Sequence, residues 1–110
     1  MPPSYNPALL SNHQLAMDCV DLKDRLDILY AMWSDTFRAW RDSIQRTDTQ
    51  EVIDAYEKAH KTIRRRTTWI NNKLFKARNE RITRDLNSIR ELVEDAQKLR
   101  ATQGENAAGP

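Results

Sequence analysis

Apolar residues recur at Leu15, Cys19, Leu22, Leu26, Leu29, Trp33, Phe37, Trp40 and Ile44. Every step between them is three or four residues, the period of one helix face. This spacing predicts a first helix over about 12–46. Ser11 or Asn12 can cap its start, and Ser11-x-x-Gln14 fits a capping box. Thr47 to Glu51 is the interior stretch with turn and cap character. A tight connection there predicts an antiparallel helical hairpin. The returning helix, over about 50–78, carries the seam Val52, Tyr56, Ala59, Ile63, Thr67, Ile70, Leu74, Ala77. That phase fails at Arg81. A new seam starts one residue later with Ile82, Leu86, Ile89, Val93, Ala96 and Leu99. The slip implies a bend, a break near Asn79 or a drift of the buried face.

The organisation expected is an extended N-terminal arm over 1–10, a helical domain over 11–101 and a disordered tail over 102–110. Within the domain a third helix over 81–101 turns back on the hairpin or packs on another chain. Met17, Val20 and Ile28 lie far round the first helix from its seam, at about 100° per residue. That helix is therefore apolar on two faces, and the 82–99 helix or another subunit must cover the second. A homodimeric four-helix-type bundle is expected, with a monomeric three-helix bundle as the alternative.

Composition sharpens the fold class. Glycine occurs only at Gly104 and Gly109, and proline only at Pro2, Pro3, Pro7 and Pro110. Neither interrupts Ala8 to Gln103, which argues for an all-α chain, since β-turns draw on both residues. The same scarcity excludes glycine loops that cradle phosphates. The hydrophobic fraction is 39% and the charged fraction 31%. The core is therefore thin for a globular chain.

No Ser–His–Asp set, Walker loop, zinc spacing or EF-hand loop occurs, so neither an enzyme nor a cofactor is expected. Asp18, Asp21, Asp24 and Asp27 repeat every three residues and spiral round the helix rather than converge. His13 and His60 fall near opposite ends of the hairpin and read as surface residues, so no metal site is expected. Cys19 is the one cysteine, read as a small core residue that makes no internal disulfide. With no secretory signal and no apolar run near ~18 residues, a reducing, cytoplasmic location without membrane contact is expected.

Charge carries the functional signal. Residues 1–57 hold ten acids and five bases, net −5. Residues 58–84 hold ten bases and one acid, Glu80, net +9. With Ile63 at the centre of the buried face, Lys58, Lys61, Thr62, Arg65, Trp69, Asn72, Lys73 and Lys76 fall between about 160° and 280° round the helix. The cations thus form one stripe opposite the seam, about 27 Å long from Lys58 to Lys76. A solvated face usually mixes signs, because acid–base pairs at i,i+4 support a helix. A polyanion would relieve the repulsion within this stripe, and counterion release would supply affinity. Thr62 and Asn72 can donate to phosphate or 2′-hydroxyl groups. Arg64 and Arg66 flank the stripe, either clamping phosphates or pairing with aspartates of the first helix. Trp69 can stack on a base, but cover by the third helix is the favoured reading.

The run Lys58-Ala59-His60-Lys61-Thr62-Ile63-Arg64-Arg65-Arg66, continued by Trp69, Asn72, Lys73 and Lys76, resembles the small RNA-silencing suppressors of nodaviruses. The resemblance covers the layout of residues 12–84. It implies a helical hairpin that dimerises into a four-helix bundle and binds double-stranded RNA without sequence preference. It further implies sequestration, in which the dimer shields duplex RNA from a processing nuclease. Lys58, Lys61, Arg65, Lys73 and Lys76 would then contact phosphates. The rival reading is a protein-binding helical adaptor or inhibitor that uses the second apolar face of the first helix and the 82–99 seam.

Overall fold

A computed structural model describes residues 4–108. Two long helices dominate: α1, Asn12–Gln45, and α2, Gln50–Ala108. They pack antiparallel as a hairpin, and no strand occurs among the described residues. The all-α class and the helical hairpin are therefore as the periodicity predicts. The particle is a rod of 94 × 30 × 17 Å. No helix among the described residues is long and apolar enough to cross a membrane.

Both ends of α1 carry local signals. Ser11 is the N-cap, and its Oγ accepts the Gln14 amide at 3.1 Å. At the other end Asp48 N donates to Ser43 O and Thr47 N to Ile44 O, each at 3.1 Å. That pair of bonds is a Schellman closure. The residue in the left-handed position is Thr47, with φ 56°, where glycine or asparagine is the usual occupant. An Arg46–Asp48 ion pair at 3.0 Å spans the turn.

The core is the overlap of the two seams. Leu15, Cys19, Leu22 and Leu26 pack with Ile70, Leu74 and Ala77 as one buried cluster. Ile63 and Thr67 continue it toward the turn. There the buried face of α1 rotates. Ser43 is fully buried and Thr36 and Ala39 half-buried, while Phe37 and Ile44 of the predicted seam stand about half exposed. On α2, Val52 and Ala59 are likewise exposed, and Ile53 and His60 take the inner positions. His60 is thus no surface residue. Its ring lies 5.6–5.7 Å from those of Trp33, Phe37 and Trp40, centroid to centroid. Small side chains on α1 allow this rotation, and the aromatic rings fill the flank it opens.

Three expectations about the chain's course need correction. First, there is no separate third helix over 81–101. α2 runs unbroken through Asn79 for 59 residues, because no proline or glycine interrupts it there and the phase slip is only a rotation of the apolar stripe. Residues 82–101 therefore do not turn back. Second, the expected disordered tail is helical from Thr102 through Ala108. Gly104 adds a penalty of only about 1 kcal/mol to a helix otherwise built from good formers. Residues 109–110 of that tail lie outside the described residues. Third, the arm is not simply extended. Residues 1–3 lie outside the described residues, and Pro7–Leu9 form a single 3-10 turn with Asn6 as its cap. Pro7 pre-sets the turn at its first position, and its side chain is buried.

Arg84 holds the arm down. Its guanidinium donates to Leu10 O at 2.7 Å, to Pro7 O at 3.2 Å and to Asn12 Oδ1 at 2.8 Å. Its Nε pairs with Glu80 at 2.9 Å. These contacts mark where α1 begins alongside α2. Beyond them α2 has no neighbour among the described residues, and every residue from 85 to 104 is exposed.

Candidate nucleic-acid interface

The middle of α2 has its inner face committed to α1, so its cations are left on the outer faces. Lys58, Lys61, Arg64, Arg65, Arg66, Asn72 and Lys76 are exposed. Lys61 pairs with Glu57 one turn earlier, at 2.9 Å. Lys58, Arg64, Arg65, Arg66 and Lys76 make no ion pair among the described residues. Arg64 and Arg66 therefore do not pair with the aspartates of α1.

Eight of the ten predicted residues fall into two clusters, with Arg64 and Arg66 outside both. Lys58, Lys61, Thr62 and Arg65 line a shallow depression of about 310 Å³. Asp54 and Glu57 share that depression, so its cationic character is partly offset at the end near the turn. Thr62 is half-buried, and its hydroxyl donates to Lys58 O at 2.9 Å. In that rotamer it can accept from a 2′-hydroxyl but cannot donate to a phosphate.

The second cluster is Trp69, Asn72, Lys73 and Lys76. It forms one wall of a cleft of about 760 Å³ whose other wall is the N-terminal arm, including Tyr5 and Asn6. Lys73 is half-buried here. Its Nζ lies 3.6 Å above the Trp69 ring centroid and 5.4 Å from that of Tyr5, so cation–π attraction holds it in place. Trp69 is 57% exposed and no third helix covers it. Lys73 covers one face of the Trp69 ring, so stacking on that face requires the lysine to swing away, while the far side borders a second groove. Arg66 lies on the far side of Trp69, in a groove shared with Arg25 and Ile28 of α1.

Comparison with protein-family models, with curated proteins and with solved structures finds no match. The interface must therefore be read from its own geometry.

Sequence reasoning did not anticipate the arm as part of this surface. Tyr5 donates to Asp18 Oδ2 at 2.9 Å, which pins the arm across the junction of α1 and α2. No periodic signal marks Tyr5, because a single ring docked on a helix has no repeat. Residues 4–10 carry no charge, so the arm shapes the cationic cleft without neutralising it. Arg25, contributed by α1, was also outside the predicted set. Among the described residues no cluster of metal-ligating side chains occurs.

Burial pushes the Tyr5 hydroxyl up from its ordinary 10.0 to about 12, and the hydrogen bond and charge of Asp18 act in the same direction. Its folded value is raised, so it contributes stability at every pH below about 10. That contribution is lost as pH rises through 12. An absorbance titration of tyrosinate should show one component near pH 12 that disappears in Tyr5→Phe. Loss of a component near the ordinary 10.0 instead would mean the arm is not docked.

Proposed function

We propose that this protein is a non-enzymatic binder of duplex nucleic acid, with double-stranded RNA favoured, acting through the basic face of α2. The observation that carries the reading is the set Lys58, Arg64, Arg65, Arg66 and Lys76: exposed, on one unbroken helix, and without ion pairs among the described residues. The helical backbone spreads these cations over about 27 Å, long enough to reach several phosphates of a duplex rather than one. Lys58, Arg65 and Lys76 are the phosphate contacts, with Lys61 joining once released from Glu57. Thr62 and Asn72 face sugar hydroxyls. Lys73 and Trp69 act first as a unit that shapes the arm cleft. In the reading implied by the resemblance to nodaviral silencing suppressors, the protein is a cytoplasmic homodimer of the four-helix type that sequesters its duplex.

A titration of labelled 25-base-pair RNA duplex, with single-stranded RNA and the matching DNA duplex as competitors, tests this at two salt concentrations. Expected is binding that prefers duplex RNA and falls by about 0.9 log units per phosphate contact per log unit of salt. Absence of binding at low salt would sink it. The adaptor reading rests on a different observation. Met17, Val20, Ile28 and Met32 of α1 are exposed, as is the whole apolar stripe of α2 beyond Ile82. An apolar protein interface there would respond little to salt.

A further inference from the structure

The last third of α2 exposes apolar side chains that the hairpin does not use. Ile82, Leu86, Ile89, Val93 and Ala96 follow one another at steps of four and three, the seven-residue repeat of a coiled coil. Ile82, Leu86, Ile89 and Val93 are each about half exposed, at 49–56%. Phe75, 65% exposed, stands one repeat before Ile82 in the same phase. On the helix wheel this stripe is turned about 100° from the seam that meets α1, so the hairpin does not obstruct it. We propose that residues 79–96 pair with the same residues of a second copy of this chain, parallel and in register.

Self-complementarity and charge select the occupant. With Ile82, Ile89 and Ala96 at d, the a positions are Asn79, Leu86 and Val93, and Asp85 and Arg90 take the flanking g and e positions. In parallel register a g residue meets the e residue five positions later on its neighbour. Asp85 therefore meets the second copy's Arg90, twice by symmetry. Neither makes an ion pair within the chain among the described residues. Asn79 meets its own counterpart, the polar a-layer arrangement that fixes register. Antiparallel alignments that stack the stripe on itself do worse. They set Arg90 against Arg90, or Asp85 against Asp85, or leave both unpaired, and they place Asn79 on an apolar residue or outside the contact. Leu at a over Ile at d also suits more than two strands, and neighbours in such a bundle are parallel and in register too.

The inference takes from the proposed function only the expectation of a second copy. Its test uses no nucleic acid, so the failure of one is distinguishable from the failure of the other. Sedimentation of the full chain at about 100 μM should give a multiple of the monomer mass, and a monomer would overturn the proposal. Leu86→Glu with Val93→Glu should weaken association at least about a hundredfold, since burial is lost and carboxylates are forced into the contact. Neither residue belongs to the hairpin core, so the near-ultraviolet signal of the tryptophans should persist. Unchanged association in this variant would overturn the proposal. Register is read by Ile89→Cys in a Cys19→Ser background. Parallel strands bring the two introduced thiols together, and a linked dimer should form in a glutathione buffer. Association without that link would overturn the parallel arrangement.

Discussion

Leu74→Ala should destabilise the hairpin by about 3 kcal/mol, within the range for a buried leucine truncated in a core. Leu74 is 1% exposed and sits in a cluster of only seven buried residues, four from α1 and three from α2. Among the described residues the partly buried hydrophobics packed against that cluster are Tyr5, Leu10 and Leu29, too few to close the cavity. Since a domain of this size is stable by only about 5–15 kcal/mol, the loss is a large share of the whole. Urea unfolding followed by helicity should show a lower midpoint at an unchanged slope. Leu92→Ala supplies the contrast. Leu92 lies on the overhang, 69% exposed, and its truncation should move the dilute chain by less than about 0.5 kcal/mol. Equal effects at the two sites would contradict the placement of the core.

Replacing Lys58, Arg65 and Lys76 together by glutamate should weaken duplex-RNA binding by at least about 500-fold in 0.1 M salt. Three phosphate contacts at about 0.9 log units each give that factor between 0.1 M and 1 M salt, and charge reversal adds repulsion. The salt dependence should flatten by the same three contacts. All three side chains are exposed and make no ion pair among the described residues, so the fold should be retained. Lys73→Ala is the informative companion. Its ammonium is held between Trp69 and Tyr5, so its loss should loosen the arm and reduce binding less than loss of Arg65. Binding that survives the triple reversal would move the nucleic-acid site elsewhere or remove it.

Much of this architecture is legible in residue spacing. The apolar seams locate Leu15 to Leu26 against Ile63 to Ala77, and the Ser11 cap and the Thr47 turn bracket α1 where the local chemistry places them. What eludes the pattern has physical causes. A change of apolar phase at Asn79 is compatible with a break, a bend or an unbroken helix, because backbone hydrogen bonding does not depend on which face is apolar. Near the turn the small residues Thr36, Ala39 and Ser43 let the helices rotate, so Phe37 and Ile44 leave the seam and His60 enters an aromatic group. Docking of the arm rests on single contacts, Tyr5 to Asp18 and Arg84 to three backbone carbonyls. Single contacts leave no periodic trace. For the interface, the stripe of cations was readable from angular position alone. The capture of Lys73 by Trp69 depends on rotamers that position does not specify.

One rod therefore contains two thermodynamic regimes. From Ile63 to Ala77, where α2 is buried on α1, opening a turn of α2 also strips side chains from α1, so backbone amides there exchange with solvent mainly through near-global unfolding. Beyond Arg84, in a solitary chain, each turn is held only by its own backbone bonds and by the nucleus already formed behind it. Opening becomes progressively easier toward Ala108. The Arg84 clamp is the boundary between these regimes, and the hairpin acts as a permanent helix nucleus for the segment that extends past it.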